Sequence, residues 1–290
     1  MTGLGRPARA WTAALIALAL TLGAGAAAAQ QPPMTSAEPP RAMVLDDERS
    51  VAGWRVESWV APEDEWRFEA VLRVVATDGT VAFERRDAGV VAFEQRAGPG
   101  WRADLVDVAP GDDLTDDGVP NLLVEAYSGG AHCCFSYALL ALGDQVEVLW
   151  EGFLADAGAV AVDLRGDGAV QLMSADMSFA YTFCSFAETP APAVVLALEP
   201  DGVRVANLEH PEVFEREVAW ALERVLMLPP LAGPDQQACA LAQLYLSLLY
   251  GGRGEVAEAA LDRLFQGDDL PGFRAALWEI IDGSPWYVGR

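Results

Sequence analysis

One nine-residue pattern occurs twice in this chain, fifty residues apart. The copies are Asp113-Leu-Thr-Asp-Asp-Gly-Val-Pro-Asn121 and Asp163-Leu-Arg-Gly-Asp-Gly-Ala-Val-Gln171, and each runs into an apolar stretch. Side-chain oxygens at positions 1, 3 and 5, a glycine at 6 and a backbone carbonyl at 7 are what a loop needs to wrap a hard cation. In the first copy the donors are Asp113, Thr115, Asp117, the Val119 carbonyl and the Asn121 amide, oxygens that suit calcium better than zinc or copper. An EF-hand is excluded, because Val124 stands at position 12 and a strand-like run follows. The competing reading is an acidic turn whose aspartates serve only backbone N–H groups. In the second copy Asp163, Asp167, Ala169 and Gln171 keep their places, but Arg165 replaces the third donor. Its guanidinium is expected to fill the cation's space and pair with Asp163 and Asp167.

The chain start sets the compartment. Arg6 and Arg9 precede an apolar run from Trp11 to Leu22, and Ala27-Ala28-Ala29 supplies a small-residue cleavage signature. Residues 1–29 therefore read as a signal peptide, and the run is too short to span a bilayer comfortably. Residues 30–42, rich in Pro, Ser and Ala, read as a disordered lead-in. Cleavage removes two arginines and no acids, so the formal charge of -24 becomes -26, and the chain has no lysine. Such a surface repels nucleic acid and anionic lipid. The expected product is periplasmic or secreted, with no membrane span after cleavage.

From 43 to 208 the chain alternates in the manner of strands separated by turns. Trp66–Val75 and Val81–Arg85 flank an Asp78-Gly79 hairpin turn, and further strands are expected at Val90–Glu94, Trp101–Val108, Leu122–Tyr127, Tyr137–Leu142, Val146–Trp150, Leu172–Met177 and Val194–Leu198. After His210-Pro211 the period becomes 3.6, which predicts four helices ending near Pro229, Tyr250, Phe265 and Ile281. The expected fold is α+β: a β-rich domain over 43–208 carrying the two Asp-Gly loops, then an all-α helical bundle over 209–290.

The segment Val106 to Ala126 resembles the FG-GAP and VCBS repeats of bacterial secreted proteins and integrin-like β-propellers. Those families hold calcium between strands with a D-x-N-x-D-G-x-x-D-L loop. The resemblance implies calcium-ligand roles for Asp113, Thr115, Asp117, Val119 and Asn121. It is local, covering roughly 106–127 and 157–177, and it departs from the family at Thr115, at Asn121 and in lacking a Phe-Gly pair. Fifty residues upstream stands Glu63-Asp64-Glu65-Trp66, with no Asp-Gly. Two units cannot close a ring of at least about four blades, so a small β-domain that borrows the repeat is expected.

Cys133, Cys134, Cys184 and Cys239 form an even set, which in an exported chain favours disulfides. A fifty-residue shift places Cys134 on Cys184, so the favoured bond joins Cys184 to Cys133 or Cys134, with Cys239 taking the remaining cysteine or staying a buried thiol. His132-Cys133-Cys134 with Cys184 also has the residue types of a copper or zinc site, against which the oxidising compartment argues. Ser128 beside His132 lacks the acid–base context of a nucleophile, and a tight glycine turn explains Ser128-Gly129-Gly130 equally well. The functional expectation is an exported, calcium-stabilised binding or scaffolding protein for a protein or glycan ligand. The alternative is a secreted hydrolase with an acidic site acting on glycans, for which a cleft holding two carboxylates of displaced pKa would speak.

Overall fold

The computed structural model describes residues 43–62, 69–97, 104–130, 133–228 and 234–289. The expected signal peptide (1–29) and lead-in (30–42) lie outside the described residues. Three antiparallel sheets of four strands each are formed in chain order. The first holds β1 (Val44–Val51), β2 (Trp54–Val60), β3 (Ala70–Val75) and β4 (Val81–Asp87). The second holds β5 (Gly89–Ala92), β6 (Asn121–Gly130), β7 (Cys133–Leu142) and β8 (Val146–Ala155). The third holds β9 (Val160–Val162), β10 (Gln171–Ala175), β11 (Ala193–Glu199) and β12 (Gly202–Val205). Each sheet is a meander in which neighbours in sequence are neighbours in space.

The sheets stack face to face because their strands are apolar on both sides. In β6, Leu122, Val124 and Ala126 meet Val56, Leu72 and Val74 of the first sheet. Leu123, with Tyr137 and Leu139 of β7, points the other way and meets Leu172, Val194 and Leu196 of the third. Strand residues alternate between faces, so a run such as Leu-Leu-Val is what a middle layer requires. Each fully buried side chain of this size contributes about 1.5–3 kcal/mol.

The third sheet is covered in turn by helices. Those are α1 (Pro211–Met227), α2 (Pro234–Tyr250), α3 (Gly254–Leu264) and α4 (Leu270–Gly283). Ala193 and Val195 of β11 share one core with Phe214, Tyr245, Leu249 and Leu277. Helix α2 is buried along Cys239–Tyr250, as expected of a helix apolar all round. The architecture is α+β, and the change of period near 209 marks the change from strand to helix. The core does not break there, because the third sheet belongs equally to the second sheet and to the helices. At the far end of the same core, fully buried Asp176 accepts from Tyr250 at 2.6 Å and Ser284 at 2.5 Å, tying β10 to α2 and α4.

One expected strand is corrected. Residues 101–103 of the Trp101–Val108 segment lie outside the described residues, and 104–108 contributes only the isolated bridges Leu105–Val162 and Gln95–Val108. The Gln95 side chain binds the backbone there, donating to Val106 and Ala161 carbonyls and accepting from Ala161. A side chain thus takes over part of what a ladder would supply.

Candidate functional site

Both Asp-Gly loops occupy the connection from the first to the second strand of their sheet, and both close by bonds from loop N–H groups to their aspartates. In the first, Asp113 accepts from the backbone N–H groups of Thr115, Asp117 and Gly118, the last at 2.7 Å, and Asp117 accepts from Val119 at 2.9 Å. In the second, Asp163 accepts from Gly166, Asp167 and Gly168, and Asp167 accepts from Ala169 at 3.1 Å. The amide at position 9 faces inward in each: Asn121 accepts from Leu114 N–H at 2.7 Å, and Gln171 from Leu164 N–H at 3.1 Å. Glycine is needed at position 6, where φ is 83° at Gly118 and 91° at Gly168. Partial burial opposes ionisation of Asp113 and Asp163, but the loop N–H groups outweigh it and hold both carboxyls below the usual carboxylate value.

The five donors expected for calcium therefore divide. Thr115 and Asn121 are buried, and the Thr115 hydroxyl donates inward to Asp117 and Asn121 at 3.2 and 3.3 Å. Asp113, Asp117 and the Val119 carbonyl stay at the surface, too few to supply the six to eight oxygens of a full calcium shell. No group of three or more His, Cys, Asp or Glu side chains is placed to hold a metal ion among the described residues. A cation held here would rest on these surface oxygens and on water.

Two expectations about the second loop and the cysteines are corrected. Arg165 turns away from its loop and donates to the Glu209 carbonyl at 2.9 Å, because that carbonyl ends the strand-to-helix junction while backbone N–H groups already serve Asp163. Cys184 bonds to Cys239 on α2, with Cα atoms 5.7 Å apart, and not to the Cys133–Cys134 pair. The chain after β10 leaves the sheet in a 3-10 turn, Met177–Phe179, which carries Cys184 towards the helices. Cys134 is also disulfide-bonded. His132 and the Cys133 side chain lie outside the described residues. Ser128 accepts from Cys134 N–H at 2.8 Å, bracing the β6–β7 hairpin, and buried His210 meets Glu212 at 3.1 Å at the start of α1.

The feature that sequence reasoning missed is a slot of about 610 Å³ between the first two sheets. Among the described residues the second sheet ends at β5, whereas the first continues past it to β2 and β1, so the inner face of those strands lies beside a sheet edge. Among the described residues β5 pairs with β6 alone. Phe93 N–H bonds to Leu123 on β6, and antiparallel pairs alternate, so the N–H and C=O groups of Val90 and Ala92 face the slot. Val56, Ser58 and Val60 form its floor, and Asp46, Asp47, Arg49 and Glu69 its rim. A register shift between Leu45 and Asp47 makes Asp46 a bulge on edge strand β1, and both aspartates reach the slot. Arg49 is held by Asp47 at 2.5 Å and by Glu94, and Glu69 is paired with Arg86 at 2.6 Å.

The raised carboxyl of this structure lies elsewhere. Burial pushes Glu217 of α1 up to about 7, against hydrogen bonds from Ala193 N–H and Ser247. On α1 it faces β11, where it accepts from Ala193 N–H.

No family model and no solved structure matches the chain. It is 34% identical to an uncharacterized protein of Sinorhizobium fredii over 98 residues, 33% of this chain and 15% of that protein. It is 30% identical to a probable thylakoid lumen protein of Synechocystis over 136 residues, 46% of this chain and 40% of that protein. The chain thus spans less than half the length of either relative. No helix among the described residues is long and apolar enough to cross a membrane.

Proposed function

We propose that this protein is an exported binding protein whose binding face is the slot between the first two sheets. The observation that carries this reading is a sheet edge with outward N–H and C=O groups above an apolar floor. Backbone groups at such an edge are ready to pair with another chain. The signal-like start and the name of the lumenal relative support export. The rival hydrolase reading draws on the displaced carboxyl of Glu217, which accepts from Ala193 N–H on β11.

Calcium enters this reading as a surface ion held by Asp113 and Asp117, largely hydrated, which adds to a loop already closed by hydrogen bonds. Tenfold excess over Kd would stabilise the fold by about 1.4 kcal/mol. A melting curve shifted upward by millimolar calcium in the parent and in Asp167→Ala, but not in Asp117→Ala, is expected; identical curves with calcium and with chelator remove the ion.

The binding reading is tested with a photo-crosslinking residue placed in cells at exposed Val91, beside the slot, and at exposed Val256 on α3. A discrete product from position 91 alone is expected. Matching products from both positions, or none from position 91, overturn the slot as the working face.

A further inference from the structure

We infer that the slot takes an extended, basic peptide segment as an added strand on β5, an assignment that rests on the binding reading above. Geometry supplies the strand. Neighbouring strands lie about 4.8 Å apart, and the shelf formed by the inner faces of β2 and β1 extends past β5 to receive the next position. Val90 and Ala92 present their backbone groups to that position, and β5 with its four residues offers about 13 Å of edge. Alternate side chains of the added segment would rest on Val56, Ser58 and Val60, which has room for small or branched apolar residues.

Charge selects the sign of the segment. Of the rim carboxylates, Glu69 is paired with Arg86, and Asp46 and Asp47 face the single rim guanidinium of Arg49. That guanidinium already serves both Asp47 and Glu94. Exposed Asp46, lifted out of the ladder by the bulge, is placed to meet a cation at one end of the slot. The formal charge of -24 works in the same direction at longer range and opposes a second copy of this chain as the occupant.

The test uses a fluorescent peptide of alternating Val and Arg, its Val–Glu twin, and a Val–Arg peptide N-methylated at alternate residues so that one edge cannot pair. With the purified exported chain, polarisation should show saturable binding of the first. The twin and the methylated peptide should bind at least about tenfold more weakly, near 1.4 kcal/mol. Asp46→Asn should weaken the basic peptide severalfold, and rising salt should weaken it further. Hydrogen exchange at Val90 and Ala92 should slow on binding. Equal binding of twin or methylated peptide, no binding of any, or sedimentation showing that copies of the chain pair through β5 overturns the proposal. If the peptides fail while the position-91 crosslink persists, the slot binds something else and only the basic strand is lost. If both fail, the binding reading falls too.

Discussion

The two loop-and-sheet units, 106–142 and 157–198, share a loop and part company after it. Both loops fold on aspartate-to-N–H bonds, the first-position aspartate accepting from the glycine N–H at position 6 in each. They differ in how the strain of the turn is met. Position 4 is left-handed in both, with φ of 57° at Asp116 and 71° at Gly166, so the second loop uses glycine where the first uses an aspartate. They differ also in what they grip. Thr115 turns into the loop, whereas Arg165 reaches the strand-to-helix junction at Glu209. The first unit is a middle layer, and the second is built to receive helices.

The largest test of that contrast is the Cys184–Cys239 bond, through which the second unit holds α2. It closes a span of 55 residues, for which the chain-entropy estimate is about 4 kcal/mol. Cys184→Ser with Cys239→Ser should lower the urea midpoint accordingly, with hydrogen exchange rising in α2 before β6. Uniform loss across both units would erase the distinction.

Next come the two inward amides. Asn121 is fully buried, accepts from Leu114 and Thr115, and donates to Leu140. Asn121→Ala should destabilise by about 2–3 kcal/mol, because buried partners lose their bonds. Gln171 has fewer ties, to Leu164 and Ala169, and Gln171→Ala should cost about 1 kcal/mol by denaturant unfolding. Equal costs would mean that position 9 does the same work in both loops.

A third test is pH. Glu217, which contacts the second unit through Ala193, has a folded-state pKa raised from 4.5 to about 7. A raised carboxyl binds more protons folded than unfolded, so its contribution is harmless below about 4.5, turns unfavourable as pH rises to about 7, and is constant above. Glu217→Gln should nearly match the parent at pH 4.5 and exceed it by about 3 kcal/mol at pH 8. A constant difference across that range would contradict the assignment. The smallest effect is expected from Asp116→Gly, which should stabilise by a few tenths of a kcal/mol by relieving the left-handed turn; a loss would show that the Asp116 side chain contributes in its own right.

Much of the fold was legible in sequence because periodicity reports burial directly. The four helices fall within a few residues of expectation, since Pro211, Pro234, Gly251 and Gly283 punctuate a 3.6-residue pattern. The loops were legible as loops, but the inward turn of Thr115 and Asn121 was not, because spacing does not say which way a side chain faces. The cysteine pairing failed for a related reason: the fifty-residue shift aligns Cys134 with Cys184, but the 3-10 turn at Met177–Phe179 redirects the second unit. The slot left little trace in sequence beyond the short, small-residue stretch Gly89-Val-Val-Ala92. It arises from the offset between two sheets, which no single strand encodes.

The stacking order has a consequence for how the molecule is made. Each sheet is a local meander, so its contacts close over short chain separations and form early. Each layer touches chiefly the one before and the one after, as in a linear array where stability passes between neighbours. A chain delivered N-terminus first therefore lays down its layers in the order in which they stack. The third layer is the exposed stage: once Val195 and Ala193 are in place, their apolar face waits uncovered for the helices that follow. Synthesis or transport halted near residue 209 would leave that face as the surface through which unfinished chains adhere.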